Sequence, residues 1–193
     1  MTNLKPGTGT SLWLFSLEIY QRKQVKEICL SLQDQYEFNV NFILAALWTA
    51  VWQQPVMRDD FEYYRQQLSP FDMDIVQPLR RVRRATCGEY GFESNAAFQL
   101  KSLLKEQLLA VEIAAEKIFQ QQLETLILNN CQGMKTRIRA IKDRGAADDS
   151  CGGVRNFKAI AEKNLYQYAL ILNNKTATDF SSHIAALVNK IAI

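Results

Sequence analysis

Apolar residues recur at spacings of three and four almost throughout this chain, the period of helices buried along one side. Thr10 or Ser11 supplies a capping hydroxyl, and Leu12, Phe15 and Ile19 then form a stripe that Trp13, Leu14 and Leu17 widen. After a polar stretch at Arg22–Gln24, the positions Val25, Ile28, Cys29 and Leu32 carry a second helix that runs out near Tyr36. Asn39 stands where it caps a third, Val40 to Trp52, which is apolar on nearly every side and so belongs at the centre of a fold. Pro55 ends it.

Phe61, Tyr64 and Leu68 predict a short fourth helix. Ser69-Pro70 reads as a cap followed by proline at the first helical position, opening a helix to about Cys87 that is kinked at Pro78. Gly88 and Gly91 close it, and Ser94 or Asn95 opens the strongest signal in the chain. Leu100, Leu104, Leu108, Val111, Ala115, Phe119, Leu123 and Leu126 recur about every 3.7 residues, close to a helical turn. The spacing predicts one long helix over about 94–130. Phe157, Ile160, Ala161, Leu165, Tyr168 and Leu172 predict another, and Ile184, Leu187, Val188 and Ile191 a last one starting at Thr178 or Asp179.

No alternating strand pattern and no internal repeat occurs. The expected fold is therefore all-α: a single-domain bundle of about seven helices packed on the 40–52 and 94–130 segments. Residues 1–9 read as a flexible tail, 10–130 as the helical core, 131–153 as a basic, glycine-containing connection, and 154–193 as a C-terminal helical pair packed on that core.

Composition changes this picture little but removes several classes. With 193 residues, 48% apolar and 22% charged, the chain can bury one real core without staples. The net charge of +3 is too mild to announce nucleic acid. The first residues hold no apolar run of the kind a secretory signal needs, and the apolar stretch from Phe42 to Trp52 is far short of a bilayer span. Cysteines at 29, 87, 131 and 151 are too widely spaced for a structural zinc site, so reduced thiols in a cytoplasmic protein are expected, with Cys29 the least reactive because of burial.

Candidate chemistry is sparse. No glycine-rich phosphate loop is present, and His183, the only histidine, reads as an exposed helical residue. No catalytic, cofactor-binding or metal-binding residues are assigned on these grounds. Glu112 and Glu116 sit one turn apart on the long helix beside Lys117 and read as an ion-paired solvent face. Asp59-Asp60 and Asp72/Asp74 lack the spacing of a diphosphate-magnesium motif. More informative is Arg80, Arg81, Arg83 and Arg84, which span an arc of about 160° on a helix, with Ile75, Leu79, Val82 and Thr86 on the other side. Such a face suits a partner or polyanion, provided that the protein's own carboxylates leave it unpaired. Lys135, Arg137, Arg139, Lys142 and Arg144 form a second basic stretch. Gln33, Asp34, Asn39 and Asn41 make a polar knot between two apolar helices: a capped junction or, with Trp13, Tyr20 and Trp48 as walls, a pocket.

The segment from Ser11 to Tyr20, then Val25, the run Cys29-Leu30-Ser31-Leu32-Gln33-Asp34, and Val40-Asn41 before a Leu-rich stretch ending in Leu47-Trp48 resemble an uncharacterised family of small, mainly gammaproteobacterial proteins, a domain of unknown function. The likeness continues through Pro78-Leu79-Arg80, Val82-Arg83 and the region of Glu112 and Glu116, covering roughly residues 11 to 125. Where that pattern has Gly-x-Asp, this chain has Glu37-Phe38-Asn39. The resemblance implies a soluble bacterial protein and leaves activity open.

The function expected first is non-enzymatic binding of a macromolecular partner, a protein, by a cytoplasmic adaptor that needs no cofactor. The alternatives are an RNA- or ribosome-associated factor using Arg80–Arg84, and a small-ligand-binding protein or enzyme with a pocket near Asp34 and Asn41.

Overall fold

A computed structural model of the chain describes residues 11–86, 88, 95–136, 138, 156–172 and 180–191. Among these the regular structure is helical and no strand occurs, so the fold is all-α. The helices are α1 (Leu12–Tyr20), α2 (Val25–Tyr36), α3 (Val40–Val51), α4 (Arg58–Phe71), α5 (Gln77–Ala85), α6 (Asn95–Asn130), α7 (Phe157–Ala169) and α8 (Ser181–Ile191).

α3 is the centre, as its all-round apolarity predicts: every residue from Val40 to Ala50 is buried. Asn39 caps it, its side-chain oxygen accepting from the Asn41 N–H at 2.9 Å. The turn into that cap depends on Glu37, which takes a left-handed φ of 61° while the Phe38 N–H reaches back to the Leu32 carbonyl. Glycine is the usual residue in that conformation.

α7 packs along α3 and secures both of its ends. At the start, the Asn39 N–H donates to the Tyr168 hydroxyl at 2.9 Å. At the finish, Asn164 is wholly buried. Its Oδ1 accepts from the Val56 N–H at 2.9 Å, and its Nδ2 donates to the Ala46 carbonyl at 3.2 Å, Thr49 Oγ1 at 3.0 Å and the Gln54 carbonyl at 3.0 Å. One amide thus satisfies backbone groups that the end of α3 would otherwise leave bare inside the core.

Two sequence expectations are corrected. Ser69-Pro70 does not open a helix; α4 runs through both residues to Phe71. The irregularity falls at Asp72–Val76, a π-helical turn in which the Gln77 N–H bonds the Asp72 carbonyl. Pro78 has no N–H for residue 74 and its ring crowds that carbonyl, so a widened turn just before it relieves both conflicts.

The second correction concerns α6. Glu112, Ala115, Phe119, Gln120, Leu123 and Ile127 face the core, but Leu100, Leu104 and Val111, which the periodicity places on the same stripe, are exposed. The helix is about 54 Å long against about 18 Å for α3, so the bundle covers only part of it. No helix among the described residues is long and apolar enough to cross a membrane.

Candidate functional site

α5 buries none of its residues. Its apolar side is largely outside, with Ile75 of the preceding turn and Val82 both exposed. Besides Leu79, which packs on the core, what holds it is charge. Arg80 grips Glu116, with Nε donating to Oε1 at 2.8 Å and Nη2 to the same oxygen. Arg83 grips Glu112, through Nε to Oε2 and Nη2 to Oε1 at 3.2 Å. The residue order rises on α5 as it falls on α6, so the two helices run antiparallel and the 3-residue and 4-residue spacings match.

This overturns two expectations. The arginine face is not left unpaired: Arg80 and Arg83 are committed to α6, while Arg81 and Arg84 stand exposed without an ion-pair partner among the described residues. Glu112 and Glu116 are not a solvent face either. Glu112 is only 8% exposed, and Lys117 points elsewhere, exposed beside Ser11 and Gln121. A carboxylate so deeply placed needs a cation with donors to match, and a guanidinium fork supplies both.

Glu116 also ties this ladder to the polar knot. Asn41 Nδ2 donates to Glu116 Oε2, and Gln120 Nε2 donates to Asn41 Oδ1 at 2.8 Å. Asn41 and Gln120 are both buried. The chain of bonds therefore runs Gln120 to Asn41 to Glu116 to Arg80, joining α3, α5 and α6. Asn39, besides capping α3, reaches Asp72 at 3.5 Å, and Asp72 accepts from Gln77 Nε2 at 2.7 Å. Gln33 and Asp34 lie outward at the end of α2, with Gln33 Nε2 3.4 Å from Asp34 Oδ1.

The arginines and the polar knot, some forty residues apart in sequence, thus meet at one place and line two adjoining clefts. The larger, about 820 Å³, lies among α1, α2, α3, α5 and α6 and takes in Asp34, Asn41, Arg83 and Glu112. The smaller, about 440 Å³, lies at the start of α3 beside α4, α5 and α7 and takes in Asn39, Arg65 and Arg81. Gln33, Arg80 and Arg84 line both. Trp13 and Tyr20 are walls of the larger cleft, but Trp48 is core, since α3 turns no face to solvent. Burial, with Cys29 nearby, pushes the Tyr20 phenol well above the ordinary tyrosine range. Sequence reasoning missed Arg65, Gln120 and Tyr168 here, because nothing local distinguishes them from neighbouring helical residues.

Elsewhere, His183 is not exposed as expected. Its Nε2 lies 3.2 Å from Ser31 Oγ and its ring packs edge-on against Tyr36, joining α8 to α2. Among the described residues no three His, Cys, Asp or Glu side chains stand together in a way that would hold a metal. Asp59 and Asp60 begin α4, where Asp60 Oδ2 accepts from the Met57 N–H at 3.0 Å. Of the second basic stretch, Arg137, Arg139, Lys142 and Arg144 lie outside the described residues, as do Cys87 and Cys151.

The third surface of note is α6 itself before the bundle covers it. Leu100 is 66% exposed, and Leu103, Leu104, Leu109 and Val111 are also exposed. No curated protein and no solved structure matches the chain. A family model described as a protein of unknown function, DUF2390, matches residues 11–123, a span from the first residue before α1 to the buried middle of α6 that includes the Arg80–Glu116 and Arg83–Glu112 ladder and Asn41. Since that match covers more than half of the chain, the protein belongs to the DUF2390 family.

Proposed function

We propose that this is a non-enzymatic protein-binding protein whose docking element is the uncovered half of α6. The observation that carries this reading is the stripe of exposed Leu100, Leu103, Leu104 and Val111 on one side of the helix. Scattered apolar residues on a surface need no explanation, but four within about 100° of one helix over about three turns form a stripe of the kind a partner interface covers. The partner class that fits is a protein offering an apolar groove to a helix, recognised by side chains at helical spacing. Lys101, Lys105 and Glu106 break the leucine run and supply a polar rim.

The test is site-specific photocrosslinking in the native host. A crosslinker replacing Leu104 should give an adduct of defined mass, whereas one replacing Gln122, exposed on the covered half of the same helix, should give none. Leu100→Gln with Leu104→Gln should abolish the adduct from a crosslinker at Leu103 while leaving the melting temperature in place. Equal adducts at 104 and 122, or none at either, would overturn the reading.

A further inference from the structure

The smaller cleft has a composition that the protein's own interactions do not explain. Arg65 reaches it from α4, and Arg81 and Arg84 from α5. All three are exposed, and none has an ion-pair partner among the described residues. Three guanidiniums gathered at one concavity repel one another, and an arrangement of this kind is relieved by an anion that accepts from several forks at once. Two carboxylates also line the cleft. Asp72 is engaged by Gln77 and Asn39, and Glu37 lies exposed at the end of α2, which leaves arginine in excess.

Neutral groups complete the site. The Ser69 hydroxyl has only the weak thioether of Met73 as acceptor, at 3.5 Å, so it remains able to donate to a better one. Beneath them lie the buried rings of Phe42, Phe119 and Tyr168. A volume of about 440 Å³ is that of a small-molecule site, and a concave cleft walled by arginines selects an anionic ligand. The mild net charge of the chain argues against a long polyanion.

We infer that the cleft lined by Arg65, Arg81, Arg84 and Ser69 binds a small phosphate or diphosphate group, its phosphoryl oxygens meeting the arginine forks. This site is separate from the leucine surface of α6, and neither reading depends on the other.

Titration of the full-length protein with inorganic pyrophosphate by calorimetry at low salt tests this. One site per chain is expected. Arg81→Gln and Arg84→Gln each weaken binding about tenfold, the loss of one charge-assisted bond. Arg65→Gln weakens it by a similar factor although it lies on a different helix. Lys163→Gln removes an equal charge from the exposed side of α7 and leaves binding within about twofold. Arg84→Lys keeps the charge but loses the fork, and falls between the two. Because the three arginines have no ion-pair partner among the described residues, the variants should melt with the parent protein, and that measurement accompanies each titration. No heat up to about 10 mM pyrophosphate, or equal losses in Lys163→Gln and the arginine variants, overturns the assignment. So does an unaffected Arg65→Gln. Tight binding of a single-stranded RNA through the same arginines, with pyrophosphate ignored, overturns it in favour of a nucleic-acid surface.

Discussion

From Glu112 to Ile127, α6 presses Ala115, Phe119, Leu123 and Ile127 into the core, whereas from Leu100 to Val111 the same helix carries Leu100, Leu103, Leu104 and Leu109 in solvent. The two halves share a helical repeat and an apolar content that would justify burial in either. Among the described residues, what separates them is whether other helices reach far enough: α1, α3, α4 and α5 all pack on α6, but the bundle they form is shorter than it is. The polar residues are inverted as well. The covered half takes Glu112 and Gln120 inside, each held by a partner on another helix, and the uncovered half leaves large aliphatic side chains without one.

The sharpest way to break this comparison is Phe119→Ala. It removes a wholly buried ring that packs edge-on against Phe42, and should cost about 3–5 kcal/mol in chemical denaturation. Leu104→Ala on the uncovered half should change stability by no more than about 0.5 kcal/mol. Comparable costs at the two positions would mean that the leucines are covered within the chain.

Next in size is the ladder. Glu116→Ala strips Arg80 and Asn41 of their shared acceptor and should cost about 2–3 kcal/mol. The double variant with Arg80→Ala should cost less than the sum of the single changes, which a double-mutant cycle measures. Additive costs would remove the ladder as the element that docks α5.

Alkaline pH probes the covered interior from another side. Burial pushes the Cys29 thiol from the ordinary 9.0 up to about 12. A raised folded-state value stabilises the native protein fully below the unfolded pKa and is lost as pH climbs through the folded one. Denaturation midpoints should therefore hold below pH 9 and fall between 9 and 12, with the buried phenols of Tyr64 and Tyr168 adding a fall of the same sign. Cys29→Ala should flatten the early part of that fall. Cys131, half-buried just past the end of α6, is raised by burial and by Asp60 but should alkylate well before Cys29 in the folded protein, as peptide mapping would reveal.

The smallest effect is expected on the outer arginines. Arg81→Gln combined with Arg84→Gln should leave stability within about 0.5 kcal/mol, whereas Arg80→Gln should not. If the outer pair proves as costly as the inner one, the division of this face into a structural and a free half fails.

The candidate site was legible in parts. Asn39 could be recognised as a cap because a cap bonds its own next turn, and the arginines could be recognised as a face because they lie within two turns of one another. That Asn41 and Arg80 share Glu116 was not legible, since the three lie on three helices and nothing local ties them. The periodicity of 94–130 gave the helix but not its covering: an apolar stripe records which side could be buried, and the length of the neighbours decides how much of it is.

By itself, then, the sequence determined the helices, the burial of α3 and the capping at Asn39, because hydrogen bonding and side-chain spacing within a helix involve residues at most a few positions apart. It also determined that no strand-forming pattern competes with them. The tertiary structure decided the rest: that Arg80 and Arg83 turn inward while Arg81 and Arg84 do not, that Asn164 closes the end of α3, that Arg65 joins the arginines of α5, and that Leu100, Leu103 and Leu104 of α6 lie exposed. Each of these depends on two segments far apart in sequence arriving at one point, and on a balance of desolvation against pairing that exists only once they have met.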